Sequence, residues 1–456
     1  MGNLLTSLLN STNALDVFSR GLQVVQNNVS NSSTPGYVTQ TATFIAEPFD
    51  LDTGAPGGVT AGPVESSRDL YLEQNVRTAQ SALGFSTQQA SDLSEISNLY
   101  SVNGTSGVGP AIDQLFNDFS ALSVNPNDTT ARQTVLNDAG TLAQSIQQVA
   151  TGLGTASQQI AGNAQGQISE INSLAGTIAQ INGEGIRDPQ GGTDAGLDAQ
   201  LNATLEQLSQ YTNYTAIQQS DGSTTVLIGG QTPLVVGNQV DAIQGDFSSP
   251  QATILDSTGQ DITSQITGGQ LAGSLTDYNT TVPSYVTGLN TLAQGIADQV
   301  NTALDNGVDE NGNAPTQNLF TYNPVAPALS LAVNSSLTPD EIAAALPGAP
   351  GGNGNALSLA SLGSAATVNG ATFAGYYGQL GSQVGNDSAN ATSSQTTGTS
   401  VLTQAQTLRS NVSGVSLDDQ AAQLIQFQTA YQAVTKMISL LDDLTSAVIN
   451  MIDPAT

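Results

Sequence analysis

A mainly α-helical chain with a small β insert is predicted here, with coiled-coil helices at the two termini enclosing the rest in nested order. Three observations predict it. Apolar residues recur in steps of three and four at both ends of the 456-residue sequence. A helical period also marks most of residues 76–208 and 285–304. Turn-punctuated β signals are confined to about 212–282.

Near the N-terminus the apolar series is Leu4, Leu8, Leu15, Phe18, Leu22, Val25 and Val29, broken only at Ser11. Near the C-terminus it is Leu417, Leu424, Phe427, Tyr431, Val434, Ile438, Leu441, Val448 and Ile452, broken at Gln420 and Thr445. Each lays one apolar seam along a helix. A single seam reads as an amphipathic helix on a globular core; two matching seams point to a coiled coil formed by the ends. The N-terminal helix is rich in Ser, Thr, Asn and Val, which are mediocre helix formers. It spans about 40 Å with one apolar stripe. The reading is therefore of termini that are mobile in the monomer and fold against neighbours.

That first helix runs into Asn27-Asn28-Val29-Ser30-Asn31-Ser32-Ser33-Thr34-Pro35-Gly36-Tyr37. Asn and Ser side chains compete for backbone groups and disfavour helix continuation. Pro35-Gly36 presets a type II turn, Pro fixing φ at the first central position and Gly accepting φ > 0 at the second. An extended stretch over roughly 41–70 follows. Helices are then expected around Val76–Leu99, Ile112–Leu122, Val135–Leu153, Ile160–Ile181 and Leu197–Leu208. Ser220-Asp221-Gly222-Ser223 marks a hairpin, with short strands continuing to about 280. A helix returns at 285–304, residues 305–370 read as loop, and a last helical stretch begins near 371. The domain reading is 1–45 as a terminal helix and turn pairing with 413–456; 46–211 as the first part of an elongated helical bundle; 212–282 as a β-rich outer insert; and 283–412 as the return of the bundle.

Composition excludes much. The chain has 7 basic and 37 acidic residues, a net charge of −30, with only 10% charged residues overall. The acidity therefore comes from missing cations, and nucleic acid is not an expected partner. There is no Cys, His or Trp, which removes zinc sites, thiol nucleophiles and Ser-His-Asp triads. The start, MGNLLTSLLN, lacks a basic region followed by a continuous apolar run, so no cleaved secretory signal is expected. No run is long and apolar enough to insert in a membrane.

The remaining motifs read as structural. Asp305–Asn313 loosely echoes a calcium loop, but neither register places Gly at position six or Glu at twelve. No metal or cofactor is expected. Asp418-Asp419 and Asp442-Asp443 are neighbours on one helix, where successive residues diverge, unlike the facing carboxylates of a hydrolase.

The Asn27–Tyr37 segment resembles the "NNIANANTPGY" signature of flagellar rod, hook and hook-associated proteins. Residues 413–433, from Ser413-Gly414-Val415 through Gln428 to Ala433, resemble the hook-associated group's "SGVNLDEEAANLIKFQQAYQA". Hook and rod proteins usually lack the Ser-Gly-Val lead-in. Leu115–Phe119, Ala131-Arg132-Gln133 and the Gly307–Asn313 turn are similar to that group's helical domain. At Leu197-Asp198-Ala199-Gln200-Leu201 the family tends to carry "LLDQRD", so an arginine and its salt bridge are missing from the pattern. The resemblance implies an axial structural protein, exported unfolded, forming a ring of its own subunits between hook and filament. It implies the hook protein, a second junction protein, the filament and an export chaperone as partners, and the terminal seams as the inner tube. The seam residues and the Thr34–Tyr37 turn are the expected assembly sites. Readings kept open are another axial protein (hook or distal rod), an acidic extracellular adhesin, and a carboxylate-only hydrolase in the β insert.

Overall fold

The computed structural model describes residues 2–49, 57–100, 106–186 and 194–452. The elements in chain order are α1 (Gly2–Ser30), β1 (Gln40–Ala46), β2 (Val59–Ser66), α2 (Leu70–Ser97), α3 (Val108–Val124), α4 (Thr129–Ile186) and α5 (Ala195–Tyr211). Six short strands follow: β3 (Tyr214–Gln218), β4 (Thr224–Ile228), β5 (Thr232–Val236), β6 (Gln239–Val240), β7 (Gln244–Asp246) and β8 (Thr253–Leu255). Then come α6 (Gly269–Thr276), a π-helical turn (Asp277–Thr281), α7 (Val282–Asp305), β9 (Phe320–Thr321), α8 (Pro327–Ser330), β10 (Ala332–Val333), α9 (Gly354–Leu362), α10 (Phe373–Ser413) and α11 (Leu417–Ile452).

Three expectations are corrected. The helices placed at 135–153 and 160–181 are one 58-residue helix, α4. Gly152, Gly154, Gly162 and Gly166 each cost about 1 kcal/mol in propensity. No proline interrupts the segment, and the buried line from Val135 through Leu142, Leu153, Ile160 and Ile171 to Ile178 supplies packing that outweighs propensity. The strands expected to continue to about 280 end at Leu255, and residues 269–281 are helical. The stretch 305–370 is not mere loop: it contributes Phe320, Leu331, Ala356 and Leu359 to a buried core.

Two compact units are formed, one of residues 1–82, 171–242 and 398–456, the other of 83–170 and 243–397. The boundary at 242/243 cuts the expected β insert: β3–β6 fall in the first unit, β7 and β8 in the second.

The second unit is a helical domain around one apolar core. Phe116 stacks on Phe373 at 5.5 Å between ring centres, and Tyr100 on Tyr377 at 6.0 Å. Leu115, Phe119, Leu142, Ile146, Leu289 and Ile296 are fully buried beside them. Arg132 is buried to 1% exposure, and its guanidinium donates to the carbonyls of Pro126 (2.9 Å) and Asp340 (2.9 Å), so it closes a corner through backbone acceptors. Across α3 and α4, the carboxyls of Asp118 and Asp138 face one another. Burial, and then the bond and charge of Asp138, push Asp118 up to about 7. The Asp305–Asn313 turn closes on itself: the Asp309 carboxylate accepts from the Asn311 and Asn313 amides (2.8 and 2.7 Å) and from Asn313 Nδ2 (3.1 Å).

In the first unit, β3–β4–β5–β6 form an antiparallel sheet in that order. The Ser220–Ser223 hairpin forms as expected, with Gly222 at φ +86°. Asn182, near the end of α4, ties the sheet down: its side chain donates to Thr224 O (2.9 Å) and Gly237 O (2.7 Å) and accepts from the Thr224 amide (2.8 Å).

Candidate assembly site at the paired terminal helices

The two terminal helices pair within one chain. On α11, Gln420, Leu424, Phe427, Tyr431, Val434, Ile438, Leu441, Thr445 and Val448 are each buried or half-buried, in unbroken steps of four and three. The two polar residues that interrupt the apolar series therefore occupy seam positions. On α1 the most buried residues are Ser11, Val17, Gly21, Val25 and Asn28, flanked by half-buried Leu4, Leu8, Leu15, Phe18 and Leu22. Gly21 lets the helices approach closely. A Cβ there would lie 3.1 Å from the Phe427 ring.

This differs from termini that wait for a neighbour. Each seam finds its cover in the same chain, helped by the β1–β2 hairpin. Phe44 of β1 meets Phe18 and Phe427 edge-on at 6.2 and 5.7 Å. Two expected seam residues stay outside: Leu417 is 55% exposed and Val29 44%. Leu417 sits in the first turn of α11, and Val29 lies beside the buried Asn28. Ile452 lies outside the described side chains.

The joint is built on Asn28, which is fully buried at the end of α1. Its Nδ2 donates to Gln40 O (2.8 Å) and to Gln420 Oε1 (2.9 Å). Its Oδ1 accepts from the Gln40 amide (2.9 Å) and the Tyr37 hydroxyl (2.9 Å). All four hydrogen-bonding positions of one amide are used, joining α1, the turn, β1 and α11. The neighbouring motif residues shape the turn itself. Asn31 Nδ2 donates to Asn27 Oδ1 (2.6 Å), Thr34 Oγ1 to Asn31 Oδ1 (3.1 Å), and the Tyr37 amide to Thr34 O (3.1 Å) across Pro35-Gly36. Gly36 has φ +75°, and a Cβ there would collide with the Ala199 carbonyl of α5.

A second stitch secures the Ser413-Gly414-Val415 lead-in between α10 and α11. The Thr39 amide donates to Ser413 O (2.9 Å), Thr39 Oγ1 to Gly414 O (2.8 Å) and Ser413 Oγ to Ser67 O (2.9 Å). Val415 is half-buried and makes no polar stitch, while Gln428 is exposed on α11.

Sequence reasoning missed the electrostatic centre of this unit. Arg68, after β2, donates to Glu73 Oε1 (2.6 Å), to Asp198 Oδ2 from Nη2 (2.7 Å) and Nε (3.0 Å), and to Gly36 O (2.7 Å). Arg409 on α10 reaches Glu73 (3.1 Å) and Glu206 (2.6 Å). Burial pulls Arg409 down, but the bonds and charges of Glu206 and Glu73 outweigh it and leave it above its ordinary value. The partner of Asp198 thus comes from residue 68, not from the α5 position where the family pattern carries arginine. The one available signal was scarcity: in a chain with 7 cations, each arginine is a candidate for a buried pair.

Long paired termini, held by a buried polar joint and separated in sequence by an independent helical unit, define a structural assembly protein. The comparisons give the family. Residues 93–320 match the helical domain of flagellar hook-associated protein FlgK, and residues 408–451 match the C-terminal domain of the flagellar basal-body rod proteins FlgEFG. The chain belongs to the FlgK family of flagellar hook-associated proteins, whose members are structural components of the flagellum. It is 26% identical to the flagellar hook-associated protein 1 of Bacillus subtilis over 96% of both chains. It is 24% identical to that of Escherichia coli over 68% of this chain and 59% of the relative. The structure of the flagellar hook junction protein FlgK from Burkholderia pseudomallei is similar in fold, with a TM-score of 0.66 at 16% identity, covering 75% of this chain and all of that one.

Proposed function

We propose that this chain is a structural subunit of the junction between flagellar hook and filament, and that it assembles through its terminal helix pair. The observation that carries the assembly reading is a second apolar line on α11. Met437, Leu440, Leu444 and Met451 are 47–83% exposed. The first three each sit one residue before a seam position, about 100° round the helix from it. With the seam closed inside the chain, this line is available to meet a second copy, alongside the exposed Ile425 and Ile449 of α11 and Leu5 and Leu9 of α1. The seam residues then shape each subunit, and the outer line joins subunits. The hook-associated and hook-junction relatives support the hook junction as the place. Contacts with the hook protein, a second junction protein and the filament, help from an export chaperone, passage without a cleaved signal and an extracellular location complete the reading. No chemistry is assigned to it.

The test is a deletion strain viewed by electron microscopy. Bare hooks with unpolymerised flagellin in the medium are expected. Missing hooks would move the chain to the hook or rod, and intact flagella would overturn the reading. Complementation with Leu444→Asp separates assembly from folding. The purified variant should keep the wild-type circular dichroism spectrum and fail to enter flagella. Normal filaments carrying that variant would remove the outer line from the interface.

A further inference from the structure

A buried polar relay crosses the helical unit. Ser274 on α6 donates to Gln167 Oε1 on α4 (3.1 Å), Gln167 to Gln88 Oε1 on α2 (2.8 Å), and Gln88 to Asp92 Oδ1 one turn on (2.9 Å). All four residues are at most 8% exposed. The bonds of the line all run in one direction, and the line ends on the Asp92 carboxyl. The other oxygen, Oδ2, is buried without a partner. Asp277 opens the π-turn and is fully buried. Its Oδ1 accepts a long bond from Gln89 on α2 (3.3 Å), the Thr281 hydroxyl lies near enough to favour its anion, and its Oδ2 has no hydrogen-bond partner. A π-turn is a rare element that is frequent at functional positions in helices. Two buried carboxyls with a free oxygen each are costly as anions, and protonation removes the cost of the buried charge.

We propose that this corner is a pH-operated latch: protonated Asp92 and Asp277 hold α2 against the α6–π-turn–α7 joint, and their ionisation loosens it. The groups around them are acidic or neutral. From α2 come Gln88, Gln89 and Glu95, and from the turn Thr281. From α10 comes Asp387, which accepts from the Tyr285 hydroxyl of α7 (2.7 Å). None of the ion pairs among the described residues involves either carboxyl. Burial, with the Glu95 charge and against the Gln88 bond, lifts Asp92 to about 6. Burial, with the charges of Asp92 and Asp387 and against the bonds from Thr281 and Gln89, lifts Asp277 to about 7. A carboxyl raised in the folded state binds its proton there more tightly than in the unfolded chain. Stability is therefore present at acid pH and lost as pH rises through the folded values.

The chain's composition makes this measurable. With no His and no Cys, the ordinary values of the remaining side chains lie outside the range from about 5.5 to 8.5. Among the described residues the raised carboxyls Asp92, Asp277 and Asp118 fall within it. Hydrogen exchange of the full chain, corrected for the intrinsic rate, would be compared at pH 5.5 and 8.5. Peptides over 85–95 and 270–290 should lose protection by about tenfold at the higher pH, while α5 stays unchanged. Asp277→Asn should keep them protected at both; Asp92→Asn serves if the first variant does not fold. Unchanged protection in the wild type overturns the latch. So does a loss that persists in the Asn variants, or one confined to residues 108–140 around Asp118 and Asp138.

Discussion

Asn28→Ala is expected to destabilise the terminal-helix unit by about 4 kcal/mol, because it strands several buried polar groups at once. Gln40 loses a partner at both its amide and its carbonyl, and Gln420 loses the donor to its side-chain carbonyl. Gln40 and Gln420 are 6% and 2% exposed, so water does not replace what is lost. The partly exposed Tyr37 can rebond to water and contributes less. Asn27→Ala is the control. Its side chain meets only Asn31, one turn on, at an exposed site, and a change below about 0.5 kcal/mol is expected. Urea unfolding combined with limited proteolysis over 31–39 and 411–416 would measure both. Equal effects from the two asparagines would remove Asn28 from its place as the joint.

Arg68→Met is the second large effect, at about 3–5 kcal/mol. Five side chains share this centre: Arg68 and Arg409 against Glu73, Asp198 and Glu206. Glu73 is 2% exposed and held by both arginines. Without Arg68, three carboxylates face one guanidinium, and Asp198 loses two charge-assisted bonds. Gly36 O loses its donor as well, so the damage reaches the turn after α1. Arg68→Lys should recover only part of the loss, since one ammonium cannot reproduce a planar fork serving three acceptors. Adding Asp198→Asn to Arg68→Met should restore stability by removing the stranded charge. The loss should persist at high salt, because a buried pair is poorly screened. A loss that vanishes in 1 M salt, or no rescue in the double variant, would show that the cluster acts as surface charge.

The seam on α11 was legible almost residue by residue, because a heptad pattern and a helix share one geometry. The hairpin at 220–223 and the turn at Pro35-Gly36 were legible for a similar reason: their backbone angles demand particular residues. The single helix α4 was not. Local propensity at Gly152–Gly166 argued for a break, and packing over 58 residues overrode it. Nor was the helical stretch 269–281 legible, since its burial depends on partners far away in sequence.

The candidate site divides the same way. The motif around Asn27–Tyr37 stood out as a pattern, but its residues looked equivalent. Only the folded chain separates Asn28, which ties four elements together, from Asn27 and Asn31, which shape a local turn. Val29, Leu417 and Gln428 carried the pattern too, and the fold leaves them exposed.

Fold class, family and the presence of a seam at each end were readable from the residues in order. Fold class and seams follow from periodicity, turn chemistry and composition, and the family from the resemblance of the Asn27–Tyr37 and 413–433 motifs, all of them local features. Tertiary structure alone decided that the seams close on each other, that an outer apolar line on α11 is left over, and that scarce arginines converge on Glu73. Those outcomes join residues separated by hundreds of positions, and burial, which sets their energies, is a property of the folded chain rather than of any segment.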